Sequence, residues 1–253
     1  MEKNALKWLG HAFFKIYAKN NKVIYVDPWK DFPPGNEQFP KDEKVDDADI
    51  VLITHGHFDH LGDSVSIVTE TSRYRQLKVL SNFEITLYLM EQGIKQETVQ
   101  AMNKGGTVTV DGLSFSLVDA RHSSGIGPFK PQALIEGGEA GGFVIKLEDG
   151  LSLYHTGDTD VFSDMELIAK RFRPQVVMLP IGGIFTMTPE SAVIAVKMLK
   201  PKLVIPMHYG GAFKLPGDPQ EFERLVKNEL GDEVSVIIPK PGELIDLDSY
   251  VSA

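Results

Sequence analysis

Three histidines and one aspartate fall within six consecutive residues of this chain, at His55, His57, Asp59 and His60. Histidines at positions i and i+2 project to the same side of an extended chain, and Gly56 between them permits unusual backbone dihedrals. Imidazole nitrogens and carboxylate oxygens are ligands that suit zinc, manganese, iron or nickel. The spacing predicts that His55 and His57 bind one metal ion and that Asp59 and His60 bind a neighbouring one. The alternative, a histidine-rich surface turn, is disfavoured because the chain has only 7 histidines in 253 residues.

Four side chains cannot complete two metal sites, so other parts of the chain must supply further ligands. Several short apolar runs that are typical of strands are each followed closely by a residue that can bind a metal. These pairs are His122 after Phe115–Val118, Asp158 after Leu151–Tyr154, His208 after Leu203–Ile205, and Asp27 after Val23–Val26. Strand ends along one edge of a sheet converge in α/β folds, so we expect these side chains to meet the His55–His60 segment.

Two further histidines lie near the same expected edge. His11 follows a strand-like run beside a glycine, and His155 lies three residues before Asp158. Partly buried histidines usually find a hydrogen-bond partner, so we expect each ring to contact the ligand region from behind. Contact with the substrate is the alternative role for both.

The candidate ligands must be positioned by the strands and helices that the sequence predicts. Along the chain, strands come first, and strands that alternate with helices follow. Further strands are expected at Leu6–Leu9, Phe13–Tyr17, Ile50–Ile53, Thr107–Val110, Gly142–Leu147, Val176–Leu179 and Val234–Ile238, with a shorter one at Val79-Leu80. Helices are expected at Asp63–Ser72, Asn82–Gln92, Asp164–Phe172, Pro189–Leu199 and Pro219–Leu230, with another beginning near Leu61-Gly62. Aspartate favours helix starts, which suggests that role for Asp63, Asp160 and Asp164. This order predicts an α/β or α+β domain with central sheets and outer helices, and no boundary divides residues 1–253.

The ordered motifs resemble those of the metallo-β-lactamase superfamily. The resemblance rests on Asp27, the His55–His60 segment, His122, Asp158 within Thr156-Gly157-Asp158-Thr159, and His208. The segments Trp8–His11, Tyr154–Thr159 and Ile184–Met187 are most similar to a subgroup of metal-dependent hydrolases related to the ascorbate-6-phosphate lactonases. The resemblance implies a four-layer αββα sandwich with the metals at one edge of the two sheets.

The resemblance also implies a role for each site residue. One metal would be bound by His55, His57 and His122, the other by Asp59, His60 and His208, and Asp158 would bridge them. Asp27 would orient a ligand imidazole or Thr54 from behind. The cofactor would be two divalent ions, with zinc as the first candidate and manganese, nickel or iron as alternatives.

The expected activity is hydrolysis by a metal-activated hydroxide. Asp59 or Asp158 would accept a proton from the water, and Ser123 and Ser124 would orient a ligand or the substrate. The site would keep about one positive charge, because two aspartates and one hydroxide offset about three of the four charges of two divalent ions. That charge favours a small anionic ester, lactone or phosphodiester as the substrate. The segments Gly125–Gly141 and Ile184–Met187 are the expected walls of the substrate pocket.

The charge and the composition of the chain argue against several partners and ligand types. The net charge of −9 argues against nucleic acid and anionic membranes as partners, and the absence of cysteine excludes thiolate ligands. The start of the chain lacks a secretory signal and no apolar run reaches about 20 residues, so we expect a cytoplasmic protein acting on a small molecule. The sequence is compatible with a monomer and with a homo-oligomer. Three alternatives remain: a mononuclear-iron, dioxygenase-like oxidoreductase, a nuclease of the same fold, and a non-catalytic metal-binding protein.

Overall fold

Two seven-stranded mixed sheets occupy the centre of the structure. The structure is a computed structural model, and it describes residues 3–31, 34–127 and 134–251. The first sheet has the strand order β14 (Leu244–Asp246), β1 (Ala5–Trp8), β2 (Phe14–Tyr17), β3 (Val23–Val26), β4 (Ile50–Leu52), β5 (Lys78–Asn82) and β6 (Val99–Met102). The second has the order β13 (Ser235–Val236), β12 (Leu203–Met207), β11 (Val176–Pro180), β10 (Ser152–His155), β9 (Gly141–Lys146), β8 (Leu113–Asp119) and β7 (Thr107–Val110).

Helices cover the outer sides of these sheets. Their bounds are α1 (Phe58–Leu61), α2 (Ser64–Thr71), α3 (Phe83–Glu91), α4 (Met165–Phe172), α5 (Pro189–Leu199), α6 (Pro219–Leu230) and α7 (Asp248–Val251). The starts of α3, α5 and α6 are capped by side chains, because Asn82, Thr188 and Asp218 each accept a backbone N–H from the first turn. Proline at the first position of α5 and of α6 fits this location, where its missing N–H is not needed.

Strands β3 and β4 show why the first sheet is covered on both faces. Ile24 and Val26 belong to the core cluster shared with the second sheet, whereas Val23 and Tyr25 belong to a separate cluster with helices α2 and α3. Successive side chains of a strand point to opposite faces, so a continuous apolar run is buried on both sides. The larger cluster also joins the second sheet to helices α4, α5 and α6. The layers are therefore helices, sheet, sheet and helices, and the expected αββα fold is confirmed.

Several element predictions need correction. Helix α1 begins at Phe58 rather than near Leu61, so Asp59 and His60 lie inside its single turn. Asp160 does not start a helix; its side chain accepts the N–H of Val161 in the preceding loop. Strands β6 and β14 have no counterpart in the expected elements, because their partly exposed, polar-containing sequences lack an apolar run.

Within the described ranges, no helix is both long enough and apolar enough to cross a membrane.

Candidate metal centre

Five strands end at the candidate site, and those within each sheet run in the same direction. Strands β3 and β4 are parallel neighbours, and Asp27 and His55 follow their carboxyl ends. Strands β10 and β12 are both parallel to β11, and β8 runs the same way because two antiparallel pairings separate it from β10. His122, Asp158 and His208 therefore leave the second sheet at one edge, as the sequence predicts.

The first group of ligand atoms comes from His55, His57 and His122. His57 Nδ1 lies 3.1 Å from His55 Nε2 and 3.2 Å from His122 Nε2. Two nitrogens bound to one tetrahedral zinc ion at about 2.0–2.1 Å lie roughly 3.3 Å apart. The three nitrogens are therefore spaced as ligands of a single ion would be, and together they could hold one.

The second group is deeper and contains a carboxylate. Donor atoms of His11, Asp59, His60 and His208 all lie within 4.8 Å of one another. Asp59 Oδ2 is 3.6 Å from His208 Nε2 and 3.9 Å from His60 Nε2. All four residues are buried, so a cation held here would be largely shielded from solvent.

Asp158 lies between the two groups. Its Oδ1 is 3.2 Å from His60 Nε2, and its Oδ2 is 2.9 Å from His208 Nε2 and 3.6 Å from His122 Nε2. The carboxylate is 2% exposed, so solvent contributes little to its stabilisation. Its position between the groups is the one expected of a bridging ligand.

The chemistry of the unpaired atoms fits a metal ion. Among the described residues, His60 Nε2, His208 Nε2 and Asp158 Oδ1 are buried without a hydrogen-bond partner. His208 Nε2 is only 2.9 Å from Asp158 Oδ2, yet the two are not aligned for a hydrogen bond. Buried polar atoms without partners cost free energy, and nitrogen and carboxylate atoms that converge in this way are satisfied by a divalent cation.

Comparison with known proteins places the chain in a family. The beta-lactamase superfamily domain matches residues 5–208, which include all seven predicted ligands. The chain belongs to the beta-lactamase superfamily. It is 42% identical over 239 residues to a UPF0173 metal-dependent hydrolase of Koribacter versatilis, covering 94% of this chain and 96% of that protein. A UPF0173 metal-dependent hydrolase of Methanopyrus kandleri is 42% identical over 238 residues, covering 94% of this chain and 97% of that protein.

Solved structures show the same fold. The structure of Igni18, a novel metallo hydrolase from Ignicoccus hospitalis, matches with a TM-score of 0.80 and 31% identity, covering 96% of this chain and 97% of that one. An isothiocyanate hydrolase from Delia radicum gut bacteria matches with a TM-score of 0.69 and 20% identity, covering 95% and 98%. The second likeness shows the fold alone. The closer relation to ascorbate-6-phosphate lactonases stays a prediction.

In this superfamily member, Asp27 links the backs of both ligand groups. Its Oδ2 lies 2.7 Å from His60 Nδ1 and accepts the Thr54 hydroxyl at 2.7 Å, while its Oδ1 accepts the Thr54 N–H at 2.8 Å. The Thr54 hydroxyl also lies 3.0 Å from His55 Nδ1. A hydrogen bond to one ring nitrogen fixes which nitrogen faces the metal, so this carboxylate can orient two ligand rings.

The His55–His57 turn is packed against the loop that carries His122. Ser124 Oγ accepts the Gly56 N–H at 3.0 Å and donates to the Gly137 carbonyl at 2.8 Å. A Cβ at Gly56 would meet Ile126 Cγ1 at 2.6 Å and the Ser124 carbonyl at 2.7 Å, so the close approach requires glycine. Ser123 Oγ lies 3.2 Å from His57 Nε2, and both serines therefore orient the ligand loop.

His155 supports the turn that leads to Asp158 without reaching the ligand atoms. Its Nε2 donates to the Ala12 carbonyl at 2.9 Å, and its Nδ1 accepts the Gly157 N–H at 3.2 Å. Burial lowers the pKa of His155, which keeps the ring neutral as this pair of bonds requires. The ring acts on Asp158 through the backbone.

Backbone strain marks three site residues that sequence patterns do not reveal. His11, Asp27 and His208 have φ values of 52°, 50° and 56°, in the left-handed region that non-glycine residues rarely adopt. Each such residue costs about 1–3 kcal/mol and persists only where its surroundings hold it. Periodicity carries no signal for this conformation.

The first group of histidines is neutral at physiological pH. Burial, with the nearby charges of His122 and His60, lowers the pKa of His57 to about 4. Burial and the charge of His60 hold the pKa of His55 well below its ordinary value, and burial also lowers the pKa of His122. Neutral imidazoles have a free lone pair, so this group is ready to bind a cation.

The second group is charged. Burial opposes ionisation of Asp59 and Asp158, but the cationic rings of His60 and His208 hold both carboxyl pKa values well below the usual range. Burial likewise opposes the charge on His208, yet Asp158 and Asp59 raise its pKa to about 9. The pKa of His60 is held well above its ordinary value by Asp158, Asp27 and Asp59 despite burial. Protons on these rings take the place of positive charge that a metal would supply.

Charged, apolar and aromatic side chains surround the candidate metal centre. Residues 125, 134–136 and 138–140 help to line a cavity of about 780 Å³ beside His122, together with Lys104, Asp119 and Arg121. The rest of the expected pocket wall at 128–133 lies outside the described residues. Ile184 and Phe185 of the other expected wall are each 62% exposed. Sequence reasoning missed the aromatic rings of Trp29, Phe58 and Phe213, which pack together beside His11.

Proposed function

We propose that this chain is a hydrolase that uses two divalent metal ions, with zinc as the first candidate. The observation that carries the proposal is the convergence of two groups of buried histidine and carboxylate atoms, with Asp158 between them. The relatives named metal-dependent hydrolases support the reaction class.

The ligand assignment follows the two groups. His55, His57 and His122 would hold one ion, and their spacing of 3.1 and 3.2 Å suits tetrahedral coordination. Asp59, His60 and His208 would hold the other. Asp158 would contribute to both sites, since its Oδ2 faces His122 of the first group and His208 of the second, and its Oδ1 faces His60.

The ions would lower the pKa of a water molecule and polarise the scissile carbonyl or phosphoryl group. Within the chain, Asp59 and Asp158 are the carboxylates placed to accept the proton of that water. Both carboxyl pKa values are held low, so both groups are ionised at neutral pH and can accept a hydrogen bond from that water. Asp27 and Thr54 keep the ligand rings in place during this transfer.

We propose a small anionic ester, lactone or phosphodiester as substrate. Two divalent ions bring about four positive charges, of which Asp59 and Asp158 offset two, so the site attracts a negative group. The cavity beside His122 has room for a small molecule. Lys104 and Arg121 in its lining are paired with Asp119 and Glu139, so the attraction for an anion would come from the ions. The chain's net charge of −9 disfavours nucleic acid. The cytoplasmic location and the homo-oligomer stay predictions.

A pair of matched substrates tests this proposal. Two aryl esters of equal length, one ending in a carboxylate and one in the neutral amide, are compared with the metal-loaded protein. We expect kcat/KM for the anionic ester to be at least about tenfold higher, which corresponds to about 1.4 kcal/mol. The His57→Ala variant provides the background rate. A faster neutral ester would refute the anionic substrate, and oxygen consumption without hydrolysis would favour the iron oxidoreductase instead.

A further inference from the structure

His11 is held rigidly in the turn between β1 and β2. Its carbonyl oxygen accepts hydrogen bonds from Trp8 Nε1 at 2.8 Å and from the His208 N–H at 3.0 Å. Its own N–H donates to Gln38 Oε1 at 3.1 Å. The residue is 2% exposed and its φ is 52°, a conformation that histidine adopts only where the surroundings impose it. The fold therefore fixes the direction of this ring.

The ring points into the second ligand group. His11 Nε2 lies 2.8 Å from Asp59 Oδ2, the same oxygen that faces the Nε2 atoms of His60 and His208. The His11 ring centroid is 4.0 Å from that of His208 and 5.9 Å from that of His60. Donor atoms of all four residues are mutually within 4.8 Å. Four side chains, rather than three, converge on this half of the site.

The spacing within this group fits a higher coordination number than four. Ligand atoms at 90° around an ion, with bonds of about 2.0–2.1 Å, lie roughly 2.9 Å apart, against roughly 3.3 Å in a tetrahedron. The pair His11 Nε2 and Asp59 Oδ2 is separated by 2.8 Å, and the pair His208 Nε2 and Asp158 Oδ2 by 2.9 Å. Both distances match ligands at a right angle, whereas Asp59 Oδ2 is 3.6 Å from His208 Nε2 and 3.9 Å from His60 Nε2. Such a mixture of short and long spacings is expected around five or six ligands, because four tetrahedral ligands are equally spaced.

We propose that His11 is a direct ligand of the second metal ion, which it shares with Asp59, His60, His208 and Asp158. The two sites would then differ: the first would take three histidines and Asp158, and the deeper one would take five side chains. This inference rests on the proposed dinuclear function. The rival role is a positioning residue, in which the His11 ring only donates a hydrogen bond to Asp59.

Substitution of His11 by glutamine separates the two roles. Its amide nitrogen can occupy the place of Nε2 and still donate to Asp59, but an amide is a poor ligand for a transition metal. The metal-free wild-type protein and His11→Gln are titrated with Co²⁺, and both the dissociation constants and the visible absorption are recorded. We expect the first equivalent to bind to the variant and to wild type with the same affinity. The second should bind to the variant at least about 100-fold more weakly, since loss of even a residue behind the ligands lowers metal affinity 10–100-fold. The bands of the second ion should also gain intensity as its coordination number falls.

Gln38→Ala is the control for positioning, because it removes one hydrogen bond to the His11 backbone and keeps the imidazole itself. We expect its second equivalent of Co²⁺ to bind within about tenfold of wild type. The inference is overturned if His11→Gln binds the second ion with the affinity and the spectrum of wild type. Failure of wild type to bind two equivalents would instead refute the proposed dinuclear function.

Discussion

Asp27 Oδ2 lies 2.7 Å from His60 Nδ1, and both side chains are fully buried. Because the same oxygen accepts the Thr54 hydroxyl, and that hydroxyl contacts His55, one carboxylate orients a ring of each ligand group. The two halves of the candidate centre are therefore coupled through a residue that lies behind both ligand groups.

Replacement of Asp27 by asparagine should weaken both proposed sites. The amide cannot accept from His60 and Thr54 as the carboxylate does, so the rings lose their fixed tautomer and direction. We expect metal affinity to fall about 10–100-fold, measured by competition with a chromogenic chelator. Asp218→Asn is the control, because asparagine caps helix α6 as well as aspartate does. Unchanged affinity in Asp27→Asn would show that the coupling is without consequence.

His57 should be dispensable for folding and essential for metal binding. Its ring lies at the partly exposed mouth of the site, outside both core clusters. We expect His57→Ala to change the free energy of unfolding of the metal-free chain by less than about 1 kcal/mol. The same variant should lose the first metal equivalent and most hydrolytic activity. Urea unfolding and metal titration of one preparation check both parts, and wild-type hydrolysis by this variant would end the proposal as stated.

Metal uptake by the two sites should depend differently on pH. The pKa of His57 is lowered to about 4, so the first group is neutral throughout pH 5–9 and its affinity should be nearly constant there. The pKa of His208 is raised to about 9, so at pH 7 a metal must displace its proton. Affinity of the second site should therefore rise about tenfold per pH unit for each proton released, until pH 9.

Titration calorimetry in buffers of different ionisation enthalpy measures these protons directly. At pH 7 the first equivalent should release almost none, and the second should release one or more. Equal proton release for both equivalents would contradict the charge difference between the two groups.

Gly56→Ala should disturb the ligand turn by steric contact. The added Cβ would lie 2.6 Å from Ile126 Cγ1 and 2.7 Å from the Ser124 carbonyl, so the turn must shift. We expect a loss of about 1–3 kcal/mol in unfolding free energy, together with weaker binding of the first ion. Gly106→Ala, which would approach only the Asn103 backbone, is the control. Stability equal to wild type in Gly56→Ala would show that the turn adapts without cost.

Much of the fold could be predicted because its signals are local. The bounds of β3, β7, α5 and α6 agree with the expected ones, since apolar runs, turn residues and N-terminal prolines mark them. Strands β6 and β14 could not be found in this way. Their pairing with β5 and β1 is set by tertiary contacts rather than by their own composition.

The part of the candidate site that lies directly after strand ends could be predicted from the sequence. His122, Asp158 and His208 meet the His55–His60 segment because the carboxyl ends of their strands share an edge. The place of His11 was not predictable from its strand. Its direction depends on a left-handed backbone and on hydrogen bonds to Trp8, Gln38 and His208, which are distant from one another in sequence.

The number of metal ions that one chain binds decides whether the candidate centre is dinuclear. The metal-free chain is titrated with Zn²⁺ against a chelator of known affinity, and the number of ions bound per chain is read from the end point. We expect two equivalents, with the first lost in His57→Ala and both bound more weakly in Asp27→Asn. One equivalent or none in the wild-type chain would contradict this expectation.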